Sequence, residues 1–172
     1  ELDIKNAKIK KIKANIIERS ILNNDRIESI VQSIKEVIKL KDRITKSTTK
    51  NPFILFFNSR NIRRKSIPDT LLAWKYFTDQ LPEDEAKNCY FVLHTELISD
   101  AGTNLQAVVD NLFGSNYNNI MFSTSKVSAQ QLNHFYNAAD AQILLSSAEG
   151  WGLSLTEALL TGTPIIANVT GG

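Results

Sequence analysis

From residue 51 onward, short apolar runs alternate with segments whose apolar positions recur every three or four residues. The runs Phe53–Phe57, Tyr90–Leu93, Ile120–Phe122, Ala141–Leu145 and Pro164–Ala167 have the length and continuity of buried strands. Between them lie helical patterns. One begins near Pro68, a residue suited to a first helical turn, with Leu71, Trp74 and Phe77 on one face. A second covers residues 103–112 through Leu105, Val108, Val109 and Leu112. A third follows Ser128, which forms a capping box with Gln131, and its stripe is Leu132, Phe135, Tyr136 and Ala139. A fourth is Leu153–Leu160. Strands alternating with helices predict a parallel sheet covered on both faces, an α/β doubly wound, Rossmann-like domain. Ligands of such sheets sit beyond the carboxyl ends of the strands. The loops after Phe57, Leu93, Phe122, Leu145 and Asn168 are therefore where chemistry is expected.

Residues 1–50 have a different texture. Ile9, Ile12, Ile16 and Ile17 recur with helical spacing over residues 1–22. After a break at Asn23-Asn24-Asp25, where Asp25 is placed to cap, the pattern resumes over residues 26–41 through Ile27, Ile30, Val31, Ile34, Val37 and Ile38. Lys46–Lys50 reads as a linker. Charge divides the chain in the same place. Residues 1–50 hold 13 Lys and Arg against 7 Asp and Glu, while residues 51–172 hold 7 against 11. Two regions are expected: a basic helical segment, 1–50, and the Rossmann-like domain, 51–172. The basic segment reads as a solvated amphipathic pair of helices or, alternatively, as a lipid-surface or acceptor element. Of the 172 residues, 42% are hydrophobic and 22% charged, which argues against wholesale disorder. The lone cysteine, Cys89, rules out a disulfide framework within the chain and fits a reducing compartment. No apolar run reaches the length of a membrane helix.

Three loops offer chemistry. After the first strand, Arg60, Arg63, Arg64 and Lys65 fall just before a helix, a place suited to a diphosphate; a solvated basic turn is the alternative. After the fourth strand, Glu149-Gly150-Trp151-Gly152-Leu153 leads into a helix that carries Glu157. The glycines permit close approach of a ligand, and the helix start offers free N–H groups. Two carboxylates facing one pocket could grip a polyol. Glu157 could instead form a capping box with Ser154, and Trp151 could be a buried anchor. Gly162 and Pro164 suit a helix end and a strand start. Gly171-Gly172 is a weak sign of a further close-approach loop. His94 ends a strand and could line a pocket, whereas His134 falls on a helix, where a surface or half-buried place is expected. Metal-ligand spacing, the Gly-x-Gly-x-x-Gly fingerprint and the phosphate-loop motif of ATPases are all missing.

The segment Glu149-Gly-Trp-Gly-Leu-Ser-Leu-Thr-Glu157-Ala-Leu, followed by Thr161-Gly-Thr-Pro-Ile-Ile-Ala and Gly171-Gly172, resembles the C-terminal domain of the family 4 glycosyltransferases. That family carries a Glu-x7-Glu signature with Phe where Trp151 stands here. Arg60 and Lys65 resemble its arginine and lysine, with Ser59 and Ser66 at positions where most members have glycine. Val127-Ser-Ala-Gln-Gln-Leu and Tyr136-Asn-Ala-Ala-Asp140 match its approach to the fourth strand. The resemblance implies the Rossmann-like donor-binding half of a GT-B fold, with the domain's closing helices and its N-terminal, acceptor-binding Rossmann domain expected elsewhere. It implies transfer with retention from a nucleoside-diphosphate sugar, without a metal or other cofactor. Arg60 and Lys65 would hold the diphosphate. Glu149 would meet donor-sugar hydroxyls, backbone around Gly150, Trp151, Gly152 and Leu153 the sugar or phosphates, Glu157 the ribose, and backbone near Ser125, Lys126 and Val127 the base. Losing one of the cationic contacts should cost on the order of 10²-fold or more in rate. The acceptor, whether glycan, lipid or protein, is left open, and no nucleic-acid partner is expected. A cytoplasmic place is implied, with the membrane surface as a variant. By itself the piece is expected to bind nucleotide weakly and transfer nothing. The alternatives are another GT-B enzyme, such as a sugar-nucleotide epimerase or a phosphorylase, and a non-catalytic interaction module.

Overall fold

The chain's most apolar run becomes its central strand. β1 (Phe53–Asn58) is buried from Ile54 through Phe57, and its alternate side chains serve two cores. This computed structural model describes residues 24–46, 52–114, 117 and 119–170. The helix expected over residues 1–22, linker residues 47–50 and Gly171-Gly172 lie outside the described residues.

β1 is joined by β2 (Cys89–His94), β3 (Ile120–Ser123), β4 (Ala141–Leu144) and β5 (Ile165–Ala167). All pairings are parallel, in the order β3-β2-β1-β4-β5. The chain runs outward from β1 to β3, then returns to the other side of β1 for β4. That reversal opens a crevice at the carboxyl ends of β1 and β4. The helices are α1 (Asn24–Thr45), α2 (Ile67–Asp79), α3 (Glu83–Ala86), α4 (Leu105–Phe113), α5 (Ala129–Ala138) and α6 (Leu153–Leu160). A single 3-10 turn, Arg63–Lys65, precedes α2.

Period-two alternation assigns the two faces. Leu55, Phe57, Phe91 and Leu93 pack with Leu71 and Trp74 of α2 and with Leu105 and Val109 of α4. Ile54, Phe56, Tyr90 and Val92 pack with Leu40 and Ile44 of α1, Leu132 and Tyr136 of α5 and Ala158 of α6. Each fully buried aromatic or leucine in these layers contributes about 1.5–3 kcal/mol of transfer free energy. Asp140 fastens β4 to the start of β1 by accepting a 2.8 Å hydrogen bond from the Ile54 N–H.

The doubly wound parallel sheet is therefore the architecture the alternation predicts, and each strand lies within a residue of its expected bounds. Local differences have local causes. Asn24 and Asp25 lie within α1 rather than ahead of it. The four residues of α3 form one acidic turn, too short to carry an apolar stripe. Ser66 has φ 48°, a left-handed backbone that glycine adopts more readily. This gives a physical reason for glycine at that position in most of the proteins the motif resembles.

Two compact units divide between Glu36 and Val37, inside α1. In the first unit the described residues are helical, and Ile30, Val31 and Ile34 of the expected apolar stripe are exposed. In the second, the last turns of α1 bring Leu40 and Ile44 onto the sheet, and the Tyr90 hydroxyl reaches the Thr45 carbonyl at 3.4 Å.

Candidate functional site

Beyond the carboxyl ends of the strands lies a cleft of about 840 Å³, which draws its walls from four separate loops. Asn58, His94 and Ser123 end β1, β2 and β3; Ser59, Arg60, Ile62, Arg64 and Lys65 follow β1, Thr95 and Glu96 follow β2, Thr124 to Lys126 follow β3, and Glu149 to Ser154 follow β4, with Glu157 behind them on α6.

The basic loop is fixed from below. Asn61 is 2% exposed. Its amide nitrogen donates to the carbonyls of Glu96 at 3.1 Å and Thr103 at 2.6 Å, and its side-chain oxygen accepts from the Thr103 N–H at 3.1 Å. Gly102 packs directly on Asn61, so a methyl there would overlap the asparagine's side chain and carbonyl. The Arg63 N–H donates to the Ala101 carbonyl at 3.0 Å. The loop after β2 thus holds the loop after β1 in shape.

Of the four cations, Lys65 points inward and is 7% exposed. Its ammonium donates to Glu149 Oε1 at 2.5 Å, while Arg64 meets Glu149 Oε2 at 3.2 Å and the Ala148 carbonyl at 2.6 Å. Glu149 therefore bridges two cations. Burial pushes its carboxyl up, but the hydrogen bonds from Lys65 and Arg64 outweigh this and hold it below its ordinary value. Arg60 is exposed at the cleft, and its side chain makes no hydrogen bond or ion pair with a described residue.

Glu157 is tethered in a different way. Asn58 donates to the Tyr136 hydroxyl at 2.8 Å, and that hydroxyl donates to Glu157 Oε2 at 2.7 Å. Burial raises the Tyr136 phenol; Asn58 opposes the rise and Glu157 adds to it, so the hydroxyl stays protonated and remains a donor. Glu157 does not cap α6. The cap is Gly152, at φ 71°, and Ser154 already lies within the first turn, so the capping-box alternative is not realised. The buried-anchor alternative for Trp151 fails as well, because its side chain is 75% exposed at the rim. With the helix starting at Leu153, the first N–H groups of α6 are at the cleft, where they favour an anion.

The cleft gathers Arg60, Lys65, Ser125, Lys126, Glu149, Gly150, Trp151, Gly152, Leu153 and Glu157. Val127 does not line it, and neither does Arg63 of the basic loop. Sequence reasoning passed over Asn58, Asn61, Gly102 and Tyr136 as site-shaping residues and gave Arg64 no separate role. Only the Tyr136–Asp140 match offered a signal for any of these. Among the described residues, no group of three or more His, Cys, Asp or Glu is arranged to hold a metal ion, and no helix is long and apolar enough to cross a membrane.

The model of the family described as glycosyl transferases group 1 matches residues 39–172. A trehalose synthase of Pyrococcus horikoshii is 41% identical over 46 residues, 27% of this chain and 11% of that protein. Among solved structures, WaaG, a glycosyltransferase involved in lipopolysaccharide biosynthesis, is 18% identical with a TM-score of 0.58, over 78% of this chain and 33% of its own. An Escherichia coli structure described as trehalose-6-phosphate bound with UDP-2-fluoro glucose is 14% identical with a TM-score of 0.61, over 77% of this chain and 31% of its own. The C-terminal domain of LpcC, a group 1 family protein from Francisella tularensis, is 18% identical with a TM-score of 0.55, over 74% of this chain and 64% of its own. The chain thus spans about a third of the first two structures and a smaller part of the trehalose synthase.

Proposed function

The chain belongs to the glycosyl transferases group 1 family, and from that premise we propose that its domain is the donor-binding half of a retaining glycosyltransferase. It takes a nucleoside-diphosphate sugar and supplies the sugar to an acceptor bound largely by another domain. The observation that carries this reading is the convergence of Arg60, Arg64, Lys65, Glu149 and Glu157 on one cleft at the reversal point of the sheet. The UDP-2-fluoro glucose bound to the Escherichia coli relative is in keeping with it.

In the reaction, the bond from the sugar's anomeric carbon to the diphosphate oxygen breaks, and its electron pair leaves with the diphosphate. The acceptor oxygen bonds to the same face of the sugar, and its proton passes to the departing phosphate. Negative charge grows on the diphosphate, and Arg60, Lys65 and the start of α6 share the cleft proposed to hold it. Preplaced positive charge lowers the barrier because little has to reorganise as the leaving group departs. Those cations take the part a divalent ion plays in other transferases. Glu149, held by Lys65 and Arg64, presents its remaining acceptor positions to sugar hydroxyls. Glu157, steadied by Tyr136, accepts from ribose hydroxyls. Backbone near Ser125 and Lys126 meets the base. Membership of family 4 and a cytoplasmic location belong to the same proposal, as does the assignment of residues 1–50 to an interdomain segment.

The test is titration with UDP, GDP and ADP, read by NMR or thermal shift. One diphosphate should bind, and Arg60→Ala or Glu157→Ala should weaken it at least tenfold in a folded protein. A folded chain that answers to none of the three would turn the reading toward a non-catalytic interaction module.

A further inference from the structure

At the carboxyl edge of the sheet, one residue stands in register with both of its neighbours. His94 pairs with Asn58 of β1 and with Ser123 of β3. Aligned residues of parallel strands project to the same face. For His94 that is the face of Tyr90 and Val92, where α5 packs. Its ring stacks on Phe135, with centroids 6.1 Å apart and planes 22° apart. Nδ1 shares a 3.0 Å hydrogen bond with Ser123 Oγ. One ring face and one ring nitrogen are thus fixed, and Nε2 has no hydrogen bond to a described residue. His94 lines the cleft. So does the next residue, Thr95, whose Oγ1 is buried and has no hydrogen-bond partner among the described residues. A polar floor therefore runs across three strands: Ser123 and His94 on one side, then Asn58, Tyr136 and Glu157.

We propose that His94 is a further donor-binding residue that contacts the nucleoside part of the ligand, with Ser123 as the residue that positions it. This deepens the nucleotide-sugar reading and rests on it. The nucleoside is favoured over the diphosphate by where the cations lie. Lys65 and Arg64 reach away from β2, across β1 to Glu149 and Ala148 in the loop after β4. His94 lies instead between the loop after β3 and the Asn58–Tyr136–Glu157 chain. It is thus set between the regions proposed for base and ribose. A fixed imidazole there supplies a hydrogen bond through Nε2 and a flat ring edge. Thr95 adds a hydroxyl that lacks a protein partner, a state that favours a ligand or a water molecule.

The experiment measures dissociation constants of the chain for a nucleoside monophosphate and diphosphate of the preferred base. The proteins compared are the wild type, His94→Ala, His94→Gln, Ser123→Ala, Arg60→Ala and Glu157→Gln, each checked for native circular dichroism. A lost hydrogen bond to ligand corresponds to roughly a fivefold to tenfold change. His94→Ala should weaken the monophosphate and the diphosphate by the same factor of about that size. His94→Gln should recover part of the loss, and Ser123→Ala should lose less than His94→Ala. Arg60→Ala should instead weaken the diphosphate more than the monophosphate. The proposal is overturned if folded His94 variants bind both ligands as the wild type does, or lose affinity for the diphosphate alone. Should that happen while Glu157→Gln still binds poorly, the donor-site reading survives without His94. A wild type that binds neither ligand ends both.

Discussion

Glu149 connects the cation cluster to the glycine-flanked loop, and its charge has a visible consequence for stability. Its carboxyl is held below its ordinary value of 4.5, so the unfolded chain takes up protons before the folded one as the solution is acidified. The stabilisation is complete above that ordinary value and is lost as pH falls through the lower, folded one. Glu149→Gln should therefore cost about 1–3 kcal/mol in urea unfolding at neutral pH. The gap between variant and wild type should begin to narrow below 4.5 and go on closing as pH falls further. A gap that stays constant with pH would mean that the carboxylate's charge contributes nothing. Removing Glu149 also leaves Lys65, 7% exposed, without its anion. Among these residues the spacing of Glu149 and Glu157 was legible, because the signature lies within one loop and one helix. The bridge to Lys65 was not, since it spans 84 positions of sequence.

The loop after β1 owes its shape to the loop after β2. The Asn61 side chain hydrogen-bonds the segment from Glu96 to Thr103, and Gly102 leaves the space for it. Gly102→Ala would force that contact apart, an overpacking that costs about 1–3 kcal/mol. It should also weaken nucleotide diphosphate binding, because Arg60 and Lys65 belong to the displaced loop. Denaturant unfolding and a diphosphate titration would read the two effects. Unchanged stability would contradict the packing described above. The start of α6 makes the same point about elements. Ser154 and Glu157 have the spacing of a capping box, yet the helix is capped two residues earlier, on the left-handed Gly152. The N–H groups at its start are left to the cleft, and Glu157 is taken by Tyr136 of a different helix. Spacing proposes caps, but the packing of a helix against its neighbours chooses among them.

At the scale of the molecule, β3 and β5 are the edge strands among the described residues, and Ile165 and Ile166 of β5 are 36% and 48% exposed. Leu159, Leu160 and Val169 are exposed as well, at 61%, 83% and 107%. An uncovered edge strand beside exposed apolar side chains promotes association. The chain should therefore self-associate as its concentration rises in analytical ultracentrifugation, and Leu160→Lys with Ile166→Lys should reduce this. A monomer at every concentration would count against it. The sequence alone determined the alternation of strands and helices, and with it the doubly wound sheet and the edge at which the cleft opens. These follow from periodicity and burial, which act over a few neighbouring residues and are written in local order. Tertiary structure alone decided that Lys65 turns inward to Glu149, that Asn58 and Tyr136 hold Glu157, and that His94 lies between Asn58 and Ser123. Hydrogen bonds and ion pairs of this kind depend on distances of a few ångströms between residues far apart in the chain, and only strand order and register set those distances.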